Sequence, residues 1–135
     1  MPTLTGMDHF TIVTDKLDES RAFYEMLGLK VGARPDFKVP GLWLYIADHA
    51  VLHMIEVRGM PTPRRGALDH MAFKGAGMEE TLRLLKDRGI SYRLIRAPRP
   101  FSTWQVFFED PNGVEVEIDF APSEVLPDDL KPVRS

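Results

Sequence analysis

Leu68-Asp69-His70-Met71-Ala72-Phe73-Lys74-Gly75 decides how this chain is read, because Met7-Asp8-His9-Phe10-Thr11-Ile12-Val13-Thr14 says nearly the same thing 61 residues earlier. Both copies place an Asp-His pair at the mouth of a short run with period-2 alternation, the pattern of a half-buried strand. Phe10 and Ile12 in one copy, and Met71 and Phe73 in the other, then share one face, while His9 and His70 take the opposite one.

The repeat extends well beyond these phrases. The same offset superposes Asp18-Glu19 on Glu79-Glu80, Gly28 on Gly89 and Trp43 on Trp104 with no gap. A longer turn at Asp110-Pro111-Asn112-Gly113 than at Asp48-His49-Ala50 then raises the offset to 64, which lays His53 on Glu117. Taken alone, a strand histidine is more often a structural residue than a ligand, and Glu117 between two other acids reads as a solvated side chain. Joint placement at two equivalent positions of two equivalent halves sets His9, His53, His70 and Glu117 apart.

A chain of 135 residues has room for one compact domain, or for two half-size modules sharing a core. Its composition, 44% hydrophobic and 27% charged, is that of an ordinary globular protein. A net charge of −3 supplies no basic field for nucleic acid or anionic lipid, and the scattered arginines from Arg64 to Arg99 read as surface. With no cysteine there is no disulfide framework, thiolate ligand or thiol nucleophile, so any chemistry must use nitrogen and oxygen atoms. The N-terminus has no signal-peptide pattern and no apolar run is long enough for a membrane span, which makes a cytoplasmic protein the expectation.

Taken in order, the first module is expected over residues 7–57, with strands at about Asp8–Thr14, Leu29–Arg34, Gly41–Ala47 and Val51–Val57. Its helix, about Lys16–Leu27, takes Asp15 as cap, Leu17, Phe23, Tyr24 and Leu27 as apolar stripe, and Gly28 as stop. Residues 58–67 carry Gly59, Pro61, Pro63 and Gly66 and read as a linker. The second module, 68–120, repeats the order with strands at Asp69–Lys74, Tyr92–Ala97, Thr103–Glu109 and Val114–Phe120. Its helix is expected at about Met78–Arg88, burying Met78, Leu82 and Leu85. Residues 121–135, with three prolines and no periodicity, read as a tail that is mobile or lies across a partner. The fold class is therefore α+β, two tandem βαβββ modules whose helices cover one sheet face and leave the other to curve around a ligand.

Alternation orients the candidate ligands. Val116, Ile118 and Phe120 belong under a helix, so Glu115, Glu117 and Asp119 face the other way, on the side given to His9 and His70. Val51–Val57 is apolar on both faces, so only the repeat orients His53. Glu56 has the opposite parity and reads as a strand-end residue. Three imidazoles and one carboxylate suit a divalent metal with open positions, whether Fe, Mn, Ni, Co or Zn. Asp8 and Asp69 read as structural partners that fix a turn or a histidine tautomer, His49 as an exposed turn residue, and Trp43 and Trp104 as core or pocket wall.

The doubled module, the Asp-His openings, Ala50-Val51-Leu52-His53, the Asp110–Gly113 turn and Glu117 together resemble the vicinal oxygen chelate superfamily, the group of glyoxalase I, methylmalonyl-CoA epimerase, extradiol dioxygenases, fosfomycin-resistance proteins and bleomycin-binding proteins. The resemblance runs from Met7 to Phe120. It implies that His9, His70 and Glu117 match the shared metal-ligand positions, and that His53 stands where glyoxalase I has glutamate and the epimerase glutamine. It further implies a curved mixed sheet around a metal-centred pocket that binds two vicinal oxygens of a substrate, in a homodimer that is sometimes module-swapped. Glutathione-using relatives carry an arginine and an asparagine where this chain has Val13 and Val57. Losing those partners would forfeit charge-assisted hydrogen bonds of about 1.5–3 kcal/mol each, so glutathione dependence is not expected.

Three functions follow from this reading. The first is a lyase or isomerase in which metal polarises a carbonyl and Glu117 moves the adjacent proton, with Glu115, Asp119 and Tyr45 as lesser candidates. The second is an Fe(II) extradiol-type dioxygenase with His9, His70 and Glu117 as facial triad and His53 as acid/base. The third is a metal-free binding or resistance protein, ranked last because the ligand set is retained.

Overall fold

A computed structural model describes residues 2–131. Strands β1 (Phe10–Thr14), β2 (Lys30–Gly32), β3 (Gly41–Ile46) and β4 (His49–Glu56) and helix α1 (Leu17–Met26) form the first half. Strands β5 (Met71–Lys74), β6 (Tyr92–Arg96), β7 (Trp104–Glu109) and β8 (Glu115–Phe120) and helix α2 (Met78–Asp87) form the second. The chain divides into two compact units after Arg64, inside the linker read from sequence. Each unit has its own four-stranded mixed sheet, ordered β1-β4-β3-β2 and β5-β8-β7-β6. In each, the first strand runs parallel to the last, and the other pairs are antiparallel. The α+β class and the doubled βαβββ order are those expected. Among the described residues no helix is long and apolar enough to cross a membrane.

In the first unit, Ile12, Thr14, Leu44, Leu52 and Met54 are buried on one sheet face together with Phe23 and Tyr24 of α1, and α1 packs on β2, β3 and β4. Each fully buried leucine of this kind contributes about 1.5–3 kcal/mol. The helix does not start as expected: Asp15 makes no cap. Thr14 Oγ1 instead accepts from the Lys16 N–H at 2.9 Å and lies 3.1 Å from Ser20 Oγ, so a buried strand residue fastens the first turn. Ser20 thereby joins the buried side that the sequence assigned only to apolar residues.

In the second unit Met78, Leu82 and Leu85 are the buried residues of α2, as expected, alongside Val106, Phe108, Val116, Ile118 and Phe120. The cap of α2 comes from far away. Gly77, in the left-handed region at φ +86°, precedes the helix, and the Glu124 carboxylate accepts from the Gly77 and Met78 N–H groups at 3.2 and 2.6 Å. Trp104 Nε1 donates to the Glu124 carbonyl, Arg83 forms a fork with Asp129, and Leu130 is buried. Residues 121–131 are therefore docked on their own unit, which corrects the expectation of a mobile tail and leaves the alternative of a tail across a partner untouched; residues 132–135 lie outside the described ones.

Strand register corrects one detail of the repeat. Trp43 pairs with His53, whereas Glu117 pairs with Phe107. The structural counterpart of Trp43 is thus Phe107, and Trp104 pairs with Phe120 on the helix-covered face. The change of offset occurs before β7, in the connection from β6, and not at the later Asp110 turn. That turn is tied by Asp110 Oδ1, which accepts from the Asn112 and Val114 N–H groups, and by Gly113 at φ +83°.

Candidate metal centre

His9 immediately precedes β1, and the parallel pairing of Thr11 with His53 brings the open face of β1 beside β4. Alternation keeps His53 on that face, opposite the buried Leu52 and Met54. The His9 and His53 rings stack with centroids 3.6 Å apart and planes 12° from parallel, and Trp43 stacks on the other side of His53 at 3.9 Å. His9 Nδ1 lies 2.6 Å from the Asp8 carboxylate, and His53 is hydrogen-bonded to the Ala50 backbone. Those bonds hold the proton on Nδ1 and leave the Nε2 lone pair for another partner. His53 Nε2 is buried and has no hydrogen-bond partner. Burial, and then the neighbouring His9, push the His53 pKa below its ordinary value, which favours the neutral ring that coordinates metal.

The second unit repeats the device. His70 Nδ1 lies 2.8 Å from Asp69, and His70 Nε2 lies 2.9 Å from Glu117 Oε1. Two donor atoms at right angles around an ion, each about 2.1 Å from it, would be about 3 Å apart, so this pair already has the spacing of neighbouring ligands. Gln105 Nε2 donates to the other Glu117 oxygen at 3.3 Å. The Glu117 side chain is only 7% exposed, and burial, followed by the adjoining Asp119 carboxyl, pushes it up to about 7. Glu117 is therefore no solvated strand residue. The Asp69 bond raises the His70 pKa, with a further contribution from Glu117.

The sequence-derived ligands thus form two pairs, His9 with His53 in the first unit and His70 with Glu117 in the second. Each histidine has one ring nitrogen fixed by hydrogen bonding, and a buried nitrogen without a partner sits in the first pair. Each pair offers nitrogen or oxygen donors of the kind a divalent ion takes. Two of the lesser proton-transfer candidates are already engaged: Glu115 lies between Arg65 at 2.6 Å and Arg93 at 3.2 Å, and the Tyr45 hydroxyl donates to the Ala33 carbonyl; Asp119, beside Glu117, keeps a buried Oδ1 with no hydrogen-bond partner. Asp69, His70 and Glu115 have ligand atoms within 4.8 Å of one another, but the two guanidiniums beside Glu115 already balance its charge. His49, exposed as expected, reaches the Asp8 carbonyl.

Beside the first pair lies a cleft of about 500 Å³ lined by Asp8, His9, Thr11, Arg34, Phe37, Val39, Trp43, His53 and Ile55. Sequence reading missed Arg34 and Phe37, which lie in the β2–β3 connection and carry no periodic signal.

The family model for the Glyoxalase/Bleomycin resistance protein/Dioxygenase superfamily matches residues 6–118. The chain belongs to this superfamily. Among curated superfamily relatives, "Glyoxylase I 4" of Arabidopsis thaliana is 27% identical over 122 residues, covering 85% of this chain and 70% of that protein. A glyoxalase family protein from Bacillus anthracis superposes with a TM-score of 0.73 at 24% identity, over 90% of this chain and 98% of the other. The fosfomycin resistance protein FosX from Listeria monocytogenes, solved as a point mutant with Mn(II) and a dihydroxypropylphosphonic acid, gives 0.70 at 15% identity, over 88% and 94%. At these identities the two structures establish the superfamily fold and no more.

Proposed function

We propose that this member of the superfamily is a divalent-metal-dependent, glyoxalase-like lyase or isomerase that moves a proton on a small metabolite bearing vicinal oxygens, without glutathione. His9 and His53 from one unit and His70 and Glu117 from the other would be the donors to one ion, within one chain or across a homodimer. When bound, the metal would supply Lewis-acid polarisation of a substrate oxygen.

The observation that carries this reading is the His70–Glu117 pair, 2.9 Å apart, whose carboxyl is pushed up to about 7. In the metal-free protein that carboxyl accepts and returns a proton near neutral pH with little thermodynamic penalty in either direction. Gln105 holds the outer Glu117 oxygen, which limits rotation of the carboxyl, and Asp69 orients the His70 ring beneath it. The open face of the first unit supports a substrate role: a cleft with aromatic and apolar walls lies next to His9 and His53. Val13 pairs in register with Ile55 on that face, so this position offers no polar partner for a peptide-like thiol cofactor.

Metal analysis of the purified protein, followed by solvent-deuterium exchange into α-hydroxyketones and diketones, tests the proposal. The expected result is metal-dependent exchange that Glu117→Gln abolishes while the fold is retained. Full exchange by Glu117→Gln would remove Glu117 from the role. Iron content with oxygen uptake on catechols would replace the lyase reading with the dioxygenase one, with His53 as acid/base instead of ligand.

A further inference from the structure

We infer that the cleft of the first unit is a carboxylate-binding subsite in which Arg34 takes the anion and Trp43, Phe37 and Val39 take an apolar or aromatic body. The inference deepens the proposed function and rests on it in one respect, that the His9–His53 face is the substrate side. Four observations carry it.

Arg34 lines the cleft with His9, His53 and Trp43. One terminal nitrogen of its guanidinium donates to the Val39 carbonyl at 2.9 Å, and its plane sits over Phe37 at 5.0 Å. Its Nε is buried and has no hydrogen-bond partner. Among the described residues no carboxylate lies within salt-bridge distance of it, whereas Arg65 and Arg93 share Glu115 and Arg83 has Asp129. A guanidinium with an uncommitted nitrogen and no carboxylate partner, oriented by a carbonyl and an aromatic ring, is preorganised for an oxyanion.

The surrounding wall specifies the remainder of the ligand. Phe37 and Val39 are 55% and 49% exposed at the cleft, and Trp43 and Ile55 complete an apolar lining that water wets poorly. Gly41 leaves room for the guanidinium, since a Cβ there would lie 2.9 Å from Arg34 Nη2 and would also strike the Met54 carbonyl. A purely structural arginine would be satisfied by the Val39 carbonyl and Phe37 alone; the uncommitted buried Nε and the missing counter-ion call for an anion. The occupant is thus a small monocarboxylate with an apolar or aromatic body.

The test uses the full chain, freed of metal by chelator so that no ion can hold the anion. Calorimetric titration compares 3-phenylpropionate with the neutral 3-phenyl-1-propanol. Wild type is expected to bind the carboxylate at least tenfold more tightly than the alcohol. Arg34→Met should erase that preference with the alcohol affinity unchanged, and Arg34→Lys, which keeps the charge without the fork, should retain part of it. Equal affinity in wild type, binding of neither ligand, or an undiminished preference in Arg34→Met would overturn the inference. If Arg34→Met unfolds, the decision passes to Arg34→Lys, whose undiminished preference would count against the fork. Mn(II) titration of the same preparation separates the two claims. Metal held without carboxylate preference leaves the proposed function standing and removes the subsite; an Arg34-dependent preference without metal binding does the reverse.

Discussion

His9 and His53 lie ring over ring, 3.6 Å between centroids, with only one of them, His9, held by a carboxylate. Stacked neutral imidazoles tolerate this contact; two imidazolium ions would repel each other strongly at that distance. The stack therefore disfavours the doubly protonated pair, and it makes the two rings sensitive to what each ring's other nitrogen touches.

Asp8→Asn and Asp69→Asn should each weaken divalent-metal binding by about 10–100-fold, the usual cost of losing a carboxylate that orients a ligating histidine. Both carboxylates are largely exposed, at 74% and 71%, so thermal midpoints of the metal-free protein should not move. Mn(II) calorimetry on the two variants checks this, and unchanged affinity would show that the Asp-His contacts do not serve the metal.

Metal affinity should climb with pH and level off only above about pH 7. Glu117, raised to about 7, holds a proton that the ion must displace. Linkage gives the complementary effect in the metal-free protein. Its folded pKa lies above the ordinary value of 4.5, so the Glu117 contribution to stability is fully present below about pH 4.5 and is lost as pH rises through about 7. Urea unfolding from pH 5 to 8, compared with Glu117→Gln, should show this downward component in the wild type alone.

Glu124→Ala should destabilise the second unit by about 1–2 kcal/mol. It removes the carboxylate that accepts from Gly77 and Met78 at the start of α2. Urea unfolding measures the loss, and hydrogen exchange should locate the added opening in the first turn of α2. A chain ending at residue 120 should lose more, because it also removes buried Leu130 and the Arg83–Asp129 fork.

Thr14→Val should cost about 1–3 kcal/mol although it is nearly isosteric. The Thr14 hydroxyl is buried, and its removal leaves the Lys16 N–H and Ser20 hydroxyl without that partner. Denaturant titration checks this; a neutral result would mean that α1 is fixed by packing alone.

What the sequence disclosed, and what it hid, follows from how far each interaction reaches along the chain. Asp-His adjacency and the Glu115–Phe120 alternation are local, and both the Nδ1 contacts and the buried Val116, Ile118 and Phe120 face were legible. The equivalence of His53 and Glu117 held because paired strands preserve register. Trp43 and Trp104 misled because the offset changes by an odd number of residues ahead of β7, which reverses the face of every side chain that follows. Identical residues thus ended on opposite sides of their sheets. The Glu124 cap lies 46 residues after the first residue of the helix it serves, and Arg34 sits in an aperiodic connection, so no local pattern announced either.

The orienting aspartate is the residue directly before each Asp-His histidine, so donor and clamp travel together in a dipeptide. Any event that copies or transplants that short segment carries over an imidazole already oriented through its Nδ1, needing only a strand to mount it on. In this chain the same dipeptide appears twice, with bonds of 2.6 and 2.8 Å, while the remainder of each half differs around it.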